Sequence, residues 1–82
     1  MTYRYVTSGT CSRLIEIDID DNKISDIRFV GGCHGNLQGI SALTKGMNID
    51  EVIDRLRGIR CGNKATSCPD QLALALEEIK RQ

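Results

Sequence analysis

The chain has 82 residues, 11 basic and 11 acidic side chains, no net charge, 4% aromatic residues and four cysteines. That length sets one domain (residues 1–82) with a small core, for which a metal or a partner is a natural supplement. Zero net charge with so few aromatics argues against nucleic-acid binding, and no apolar run reaches membrane-spanning length or forms a signal peptide.

Thr2 to Thr7 is rich in β-formers and ends at Ser8-Gly9, which predicts an edge strand. From Ser12 to Asp20, Ile15, Ile17 and Ile19 alternate with Glu16, Asp18 and Asp20, giving a half-buried strand with an acidic face. Asp21 to Lys23 reads as a three-residue turn, and Ile24 to Val30 as the return strand with Ile27 and Phe29 facing inward. Matching the apolar faces sets Ile17 opposite Ile27 and Ile15 opposite Phe29. Carried to the open end, the same register sets Cys11 opposite Cys33, with Cβ atoms about 4.5–5.5 Å apart.

Gly31-Gly32-Cys33-His34-Gly35-Asn36 reads as a tight turn into a helix over 37–45, which carries Leu37, Ile40 and Leu43 and stops at Gly46. Asn48 and Glu51 form an approximate capping box for a second helix with Val52, Ile53 and Leu56 inward, closed by Gly58. Residues 59–67 are loop. A final helix over 69–81 carries Leu72, Leu76 and Ile79, and Pro69 at its first position makes Cys68 the expected N-cap. There is no repeat, linker or low-complexity tract. The order predicts an α+β domain: a three-stranded antiparallel sheet followed by three helices, in two layers.

Without a signal peptide, a cytoplasmic location is expected, where thiols stay reduced. Four cysteines in that setting favour metal or redox chemistry over disulfide staples. Cys11, Cys33, Cys61 and Cys68 suffice for a tetrahedral zinc site, although no Cys-x2-Cys pair is present. Cys68 at a helix start faces unpaired N–H groups that favour its thiolate. Against this, four thiols in a small core need no metal, because cysteine packs as a small apolar residue. His34 could replace Cys61 as a ligand, serve a thiolate as acid or base, or do neither. Cysteine catalysis with His34 as base lacks an orienting Asp or Asn and an oxyanion hole, so the domain alone is not expected to be an enzyme. The basic residues Arg55, Arg57, Arg60 and Lys64 read as a solvated helix end or as a contact for an acidic partner. No phosphate-cradling Gly-x-x-x-x-Gly-Lys pattern occurs; the glycines between Gly31 and Gly39 offer only a helix start for an anion.

Thr66-Ser67-Cys68-Pro69-Asp70 spells the motif that names the TSCPD domain family, supported by Gly9-Thr10-Cys11-Ser12, Gly31-Gly32-Cys33-His34-Gly35-Asn36 and Arg60-Cys61-Gly62. The resemblance covers essentially the whole chain. Such domains occur at the C-terminus of adenosylcobalamin-dependent ribonucleoside-diphosphate reductases and as short stand-alone proteins. The resemblance implies metal binding through Cys11, Cys33, Cys61 and Cys68, with zinc as the expected ion. It also implies an accessory role beside the ribonucleotide-reduction machinery, in deoxyribonucleotide and DNA synthesis, with the reductase (oxidoreductase) label that stand-alone members inherit; nucleotide binding goes with that label and is left open by the residues. The barrel, cobalamin site and radical-bearing elements of the reductase are missing from these 82 residues. The layout is also similar to that of iron–sulfur cluster assembly scaffolds, with Cys11, Cys33 and Cys68 at the three ligand positions. Ser12-Arg13 and Ser67 stand where a scaffold has an acidic residue and a histidine, which favours a stable zinc-type site over an iron–sulfur cluster. A thiol-redox module using Cys61 and Cys68 is a third reading.

Overall fold

The computed structural model describes residues 1–10, 12–32 and 34–81, and His34 by its backbone alone. Its elements run β1 (Thr2–Val6), β2 (Ser12–Asp20), β3 (Lys23–Gly31), α1 (His34–Thr44), α2 (Ile49–Leu56) and α3 (Cys68–Arg81). The strands form one antiparallel sheet in the order β1-β2-β3, so β2 is central. This is the expected α+β arrangement, three strands followed by three helices.

The isoleucine alternation places one face of β2 in the core. Ile15 and Ile17 are fully buried and pack with Ile24, Ile27, Ile49, Val52, Leu72, Ala75 and Leu76. The opposite face is wet. There Glu16 sits between Arg4 at 3.0 Å and Arg28 at 3.7 Å, an exposed ladder of little energetic weight.

The register matches expectation in the middle of the hairpin, where Ile15 faces Phe29 and Ile17 faces Ile27. It departs at both ends. Asp20 pairs with Lys23, so the turn is the two residues Asp21 and Asn22, not three. Both have positive φ (52° and 64°), the pattern of a type I′ turn whose twist suits a hairpin. The parity is restored by a bulge at Ser25, between the pairs Asp18–Asp26 and Ile19–Ile24. That extra residue lets Ile24 and Ile27, three apart, both face the core. A second irregularity lies at Arg13, between Ser12–Gly31 and Leu14–Val30, and beyond it the residue turned inward is Ser12, at 3% exposure. The ladder that would carry Cys11 opposite Cys33 is thus interrupted at Arg13, and that pair itself lies outside the described residues.

Helix α1 begins at His34, earlier than the expected 37, so Gly35 and Asn36 are helical. It buries Leu37 and Thr44 with Ile40 packed against the core, whereas Leu43 is 79% exposed and does not belong to the buried stripe. Gly46 (φ 87°) ends this stretch, and its N–H donates to the Ile24 carbonyl at 2.7 Å, which ties the α1–α2 connection to β3. Asn48 caps α2 by accepting from the Asp50 N–H at 2.9 Å. The reciprocal half of a capping box is not made, since Glu51 faces Arg55 at 3.7 Å. Helices α2 and α3 pack on each other, and Arg57–Glu77 and Lys80–Asp50 bridge them at the surface. No helix among the described residues is long and apolar enough to cross a membrane.

Candidate functional site

The first turn of α3 gathers chain segments that are distant in sequence. The Ser67 carbonyl accepts the first helical bond, from the Gln71 N–H at 2.8 Å, and its Oγ accepts from the Asp70 N–H at 3.2 Å. Ser67 is therefore the N-cap and Cys68 the first residue inside the helix. The expectation that Cys68 is the cap is corrected by one position. Pro69 then falls second in the helix, where its missing N–H still has no intrahelical acceptor to lose.

Around that cap, side chains clasp two other loops. The Ser67 hydroxyl donates to the Ile59 carbonyl at 2.6 Å, and an Asp70 carboxylate oxygen accepts from the Gly58 N–H at 2.7 Å. Thr66 donates to the other Asp70 oxygen and accepts from the Gln71 amide at 3.0 Å. The Gln71 Oε1 accepts from the Ser8 N–H at 3.1 Å, which fastens the β1–β2 connection to the same turn. Ser67, Asp70 and Gln71 are all buried, and no buried side-chain nitrogen or oxygen among the described residues lacks a partner.

Cys68 is 7% exposed, and its Sγ lies 3.2 Å from the Oγ of Ser12. Ser12 directly follows Cys11 in the chain and pairs across the sheet with Gly31, two residues before Cys33. Cys61 sits on the exposed loop that Ser67 and Thr66 hold: its N–H donates to the Thr66 carbonyl at 3.2 Å. Its own carbonyl accepts from the Lys64 N–H at 3.0 Å, closing a turn over Gly62 (φ 58°). Ser12, next to Cys11, and the Cys61 loop thus both reach the start of α3, and Ser12 pairs with Gly31 on β3. Cys11, Cys33 and the His34 side chain, expected as ligands, lie outside the described residues. Among the described residues, no three of the His, Cys, Asp and Glu side chains cluster as a metal site.

A family model for the TSCPD domain matches residues 1–80. The chain belongs to the TSCPD domain family. No curated protein and no solved structure gives a match. The five letters of the TSCPD motif now have separate physical roles. Thr66, Ser67 and Asp70 build the clasp, Pro69 fits a helix start, and Cys68 presents the thiol at the positive end of the α3 dipole. A sulfur so placed fits a thiolate ligand, soft enough for zinc, and Ser12 gives it a hydrogen-bonding neighbour. Sequence reasoning missed Ser12 and Gln71, and took Ser67 only as part of a helix-start signal. Ser67 with Asp70 three residues on is a cap signature that the sequence does carry; Gln71 has none. Of the basic residues, Arg55 and Arg57 are engaged by Glu51 and Glu77, while Arg60 and Lys64 are exposed beside Cys61.

Proposed function

We propose that this TSCPD domain is a cysteine-rich metal-binding accessory module, related to the C-terminal domain of adenosylcobalamin-dependent ribonucleoside-diphosphate reductase and serving deoxyribonucleotide synthesis. Cys11, Cys33, Cys61 and Cys68 would hold zinc. The observation that carries the reading is the junction at Ser12. One buried residue next to Cys11 touches Cys68 and pairs with Gly31 near Cys33, while the Cys61 loop is fastened to the same helix turn. A bound zinc supplies a structural cross-link among these four segments, which suits a domain of only 82 residues. The chain's own residues do the rest: the clasp fixes the α3 terminus and sets the Cys68 sulfur at the positive end of the helix dipole. The partner fitting this reading is the ribonucleotide-reduction machinery, in the reducing cytoplasm.

The test is elemental analysis of protein purified without oxygen or an affinity-column metal. The reading expects about one zinc per chain, lost on Cys68→Ser together with part of the fold stability. Iron with sulfide would replace zinc by an iron–sulfur cluster. Absence of metal would overturn the metal reading and leave the redox reading of Cys61, exposed on the loop before α3, with Cys68, buried at the first residue of that helix.

A further inference from the structure

We infer that the open edge of β1 is a dimerisation surface, at which β1 of a second copy of this chain pairs antiparallel, with Tyr5 facing Tyr5 of the second copy and Arg4 facing Val6 of the second copy. The inference is independent of the metal reading above and concerns residues which that reading leaves unused.

The direction of the β1 amides follows from the two ends of the strand. The Met1 carbonyl accepts from the Ile19 N–H at 3.0 Å, and the Thr7 N–H donates to the Arg13 carbonyl at 3.2 Å, so the odd residues bond to β2. The even residues Thr2, Arg4 and Val6 turn their N–H and C=O groups the other way, where the sheet has no further strand. The next outward amide, that of Ser8, donates to Gln71 at 3.1 Å, which ends the open stretch. The far edge of the sheet is guarded: β3 carries a bulge at Ser25, and Ile24 bonds through its backbone to Gly46 at 2.7 Å and Met47 at 2.9 Å. β1 has no such guard. Its register with β2 runs unbroken from Thr2 to Val6, it holds no proline, glycine or lysine, and Val6 is 76% exposed. An edge in this state is a template for another strand.

Charge selects the occupant and its register. The one charged side chain of β1, Arg4, is already held by Glu16 of the neighbouring strand at 3.0 Å, so the edge does not call for a partner of opposite charge. An identical strand related by a two-fold axis supplies the same pattern of outward donors and acceptors. In the centred register Arg4 would oppose Arg4, and like charges directly opposite are destabilising. Shifted by two residues, Arg4 faces Val6 of the second copy and covers it with its aliphatic stem, and each such pair exchanges both N–H···O bonds. Tyr5 then faces Tyr5 of the second copy in a non-hydrogen-bonded pair, where side chains come closest and aromatic rings interact. On that face lies a groove of about 250 Å³ between β1 and α3, lined by Tyr3, Tyr5, Ala75 and Ile79, which receives the rings. The two three-stranded sheets become one continuous sheet, and oligomerisation is a usual supplement for a domain of 82 residues.

The experiment is sedimentation equilibrium over rising protein concentration under reducing conditions, with amide exchange of β1 followed at low and high concentration. It uses the wild type, Val6→Glu, Val6→Lys and Arg4→Pro. The wild type is expected to shift from one chain mass to two as concentration rises. Over the same range exchange at Arg4 and Val6 should slow, while Tyr3 and Tyr5, bonded to β2, are slow throughout. Val6→Glu sets a carboxylate opposite Arg4, and Val6→Lys sets a like charge there. The first should dimerise about tenfold more tightly than the second, because the pair occurs twice per dimer. Arg4→Pro deletes an outward N–H that the β1–β2 ladder does not use, and should abolish the dimer while the chain stays folded. A single chain at every concentration, with fast exchange at Arg4 and Val6, would overturn the second copy as occupant and leave the edge to a strand of another protein. A dimer unchanged in Val6→Lys and Arg4→Pro would overturn the surface, and equal dimerisation by the two Val6 variants would overturn the register.

Discussion

Cys68 Sγ and Ser12 Oγ lie 3.2 Å apart although 56 positions separate them in the chain. The contact joins the first residue of β2 to the first turn of α3, and Ser67, Asp70 and Gln71 hold the surrounding loops in place. Removing parts of this arrangement has distinct consequences.

Ser67→Ala removes the cap of α3 and a donor to Ile59 from a buried position, at 4% exposure. Loss of a serine cap costs about 0.5–2 kcal/mol, and the upper half of that range is expected here. Urea unfolding gives the value. A loss below about 0.5 kcal/mol would mean the cap has been assigned to the wrong residue.

Asp70→Ala leaves the Gly58 N–H and the Thr66 hydroxyl without their acceptor inside the protein. Gly58 is exposed and Thr66 half-buried, so the loss of both bonds together should cost about 1–3 kcal/mol. Asp70→Asn, which keeps one acceptor, should lose less. Thermal melts of the two variants side by side decide it, and equal losses would dissolve the clasp as described.

Gly9 has φ 76°, and a Cβ there would meet the Thr66 methyl at 3.2 Å; Gly62 has φ 58° with nothing within 4 Å. Alanine at either position carries about 1–2 kcal/mol of left-handed strain. Only Gly9→Ala should also push the segment before Ser12 away from α3. Amide exchange at Ser8, whose N–H donates to Gln71, should accelerate in Gly9→Ala and stay unchanged in Gly62→Ala.

Leu76→Ala opens a hole in a fully buried position and should cost about 2–5 kcal/mol. Leu43→Ala should fall within about 0.5 kcal/mol of the wild type, because Leu43 is 79% exposed. The pair separates the core that the helix spacing predicts from the one the molecule builds.

What the sequence made legible follows from where periodicity holds. Alternation in β2 and the spacing of Leu72, Leu76 and Ile79 give the sheet, its central register and the last helix, since burial on one face dictates those patterns. The two bulges are different. Neither Ser25 nor Arg13 carries a turn residue that would mark an extra position, so the type I′ turn at Asp21-Asn22 and the inward side chain of Ser12 lie beyond a parity argument. Leu43 misled because helical spacing alone does not say how wide the buried stripe is, and Thr44 takes the inward place. The TSCPD letters marked the turn at which the clasp around α3 forms. The side chains that complete it, Ser12 and Gln71, come from tertiary contacts that no local pattern encodes.

The most direct test of the central claim counts thiols and metal together on protein kept free of oxygen. A disulfide reagent is added before and after a zinc chelator, with a zinc indicator present. The account predicts that the four thiols of the chain are protected at first and become reactive together as about one zinc is released. Four thiols reacting before the chelator, with no zinc appearing, would contradict it.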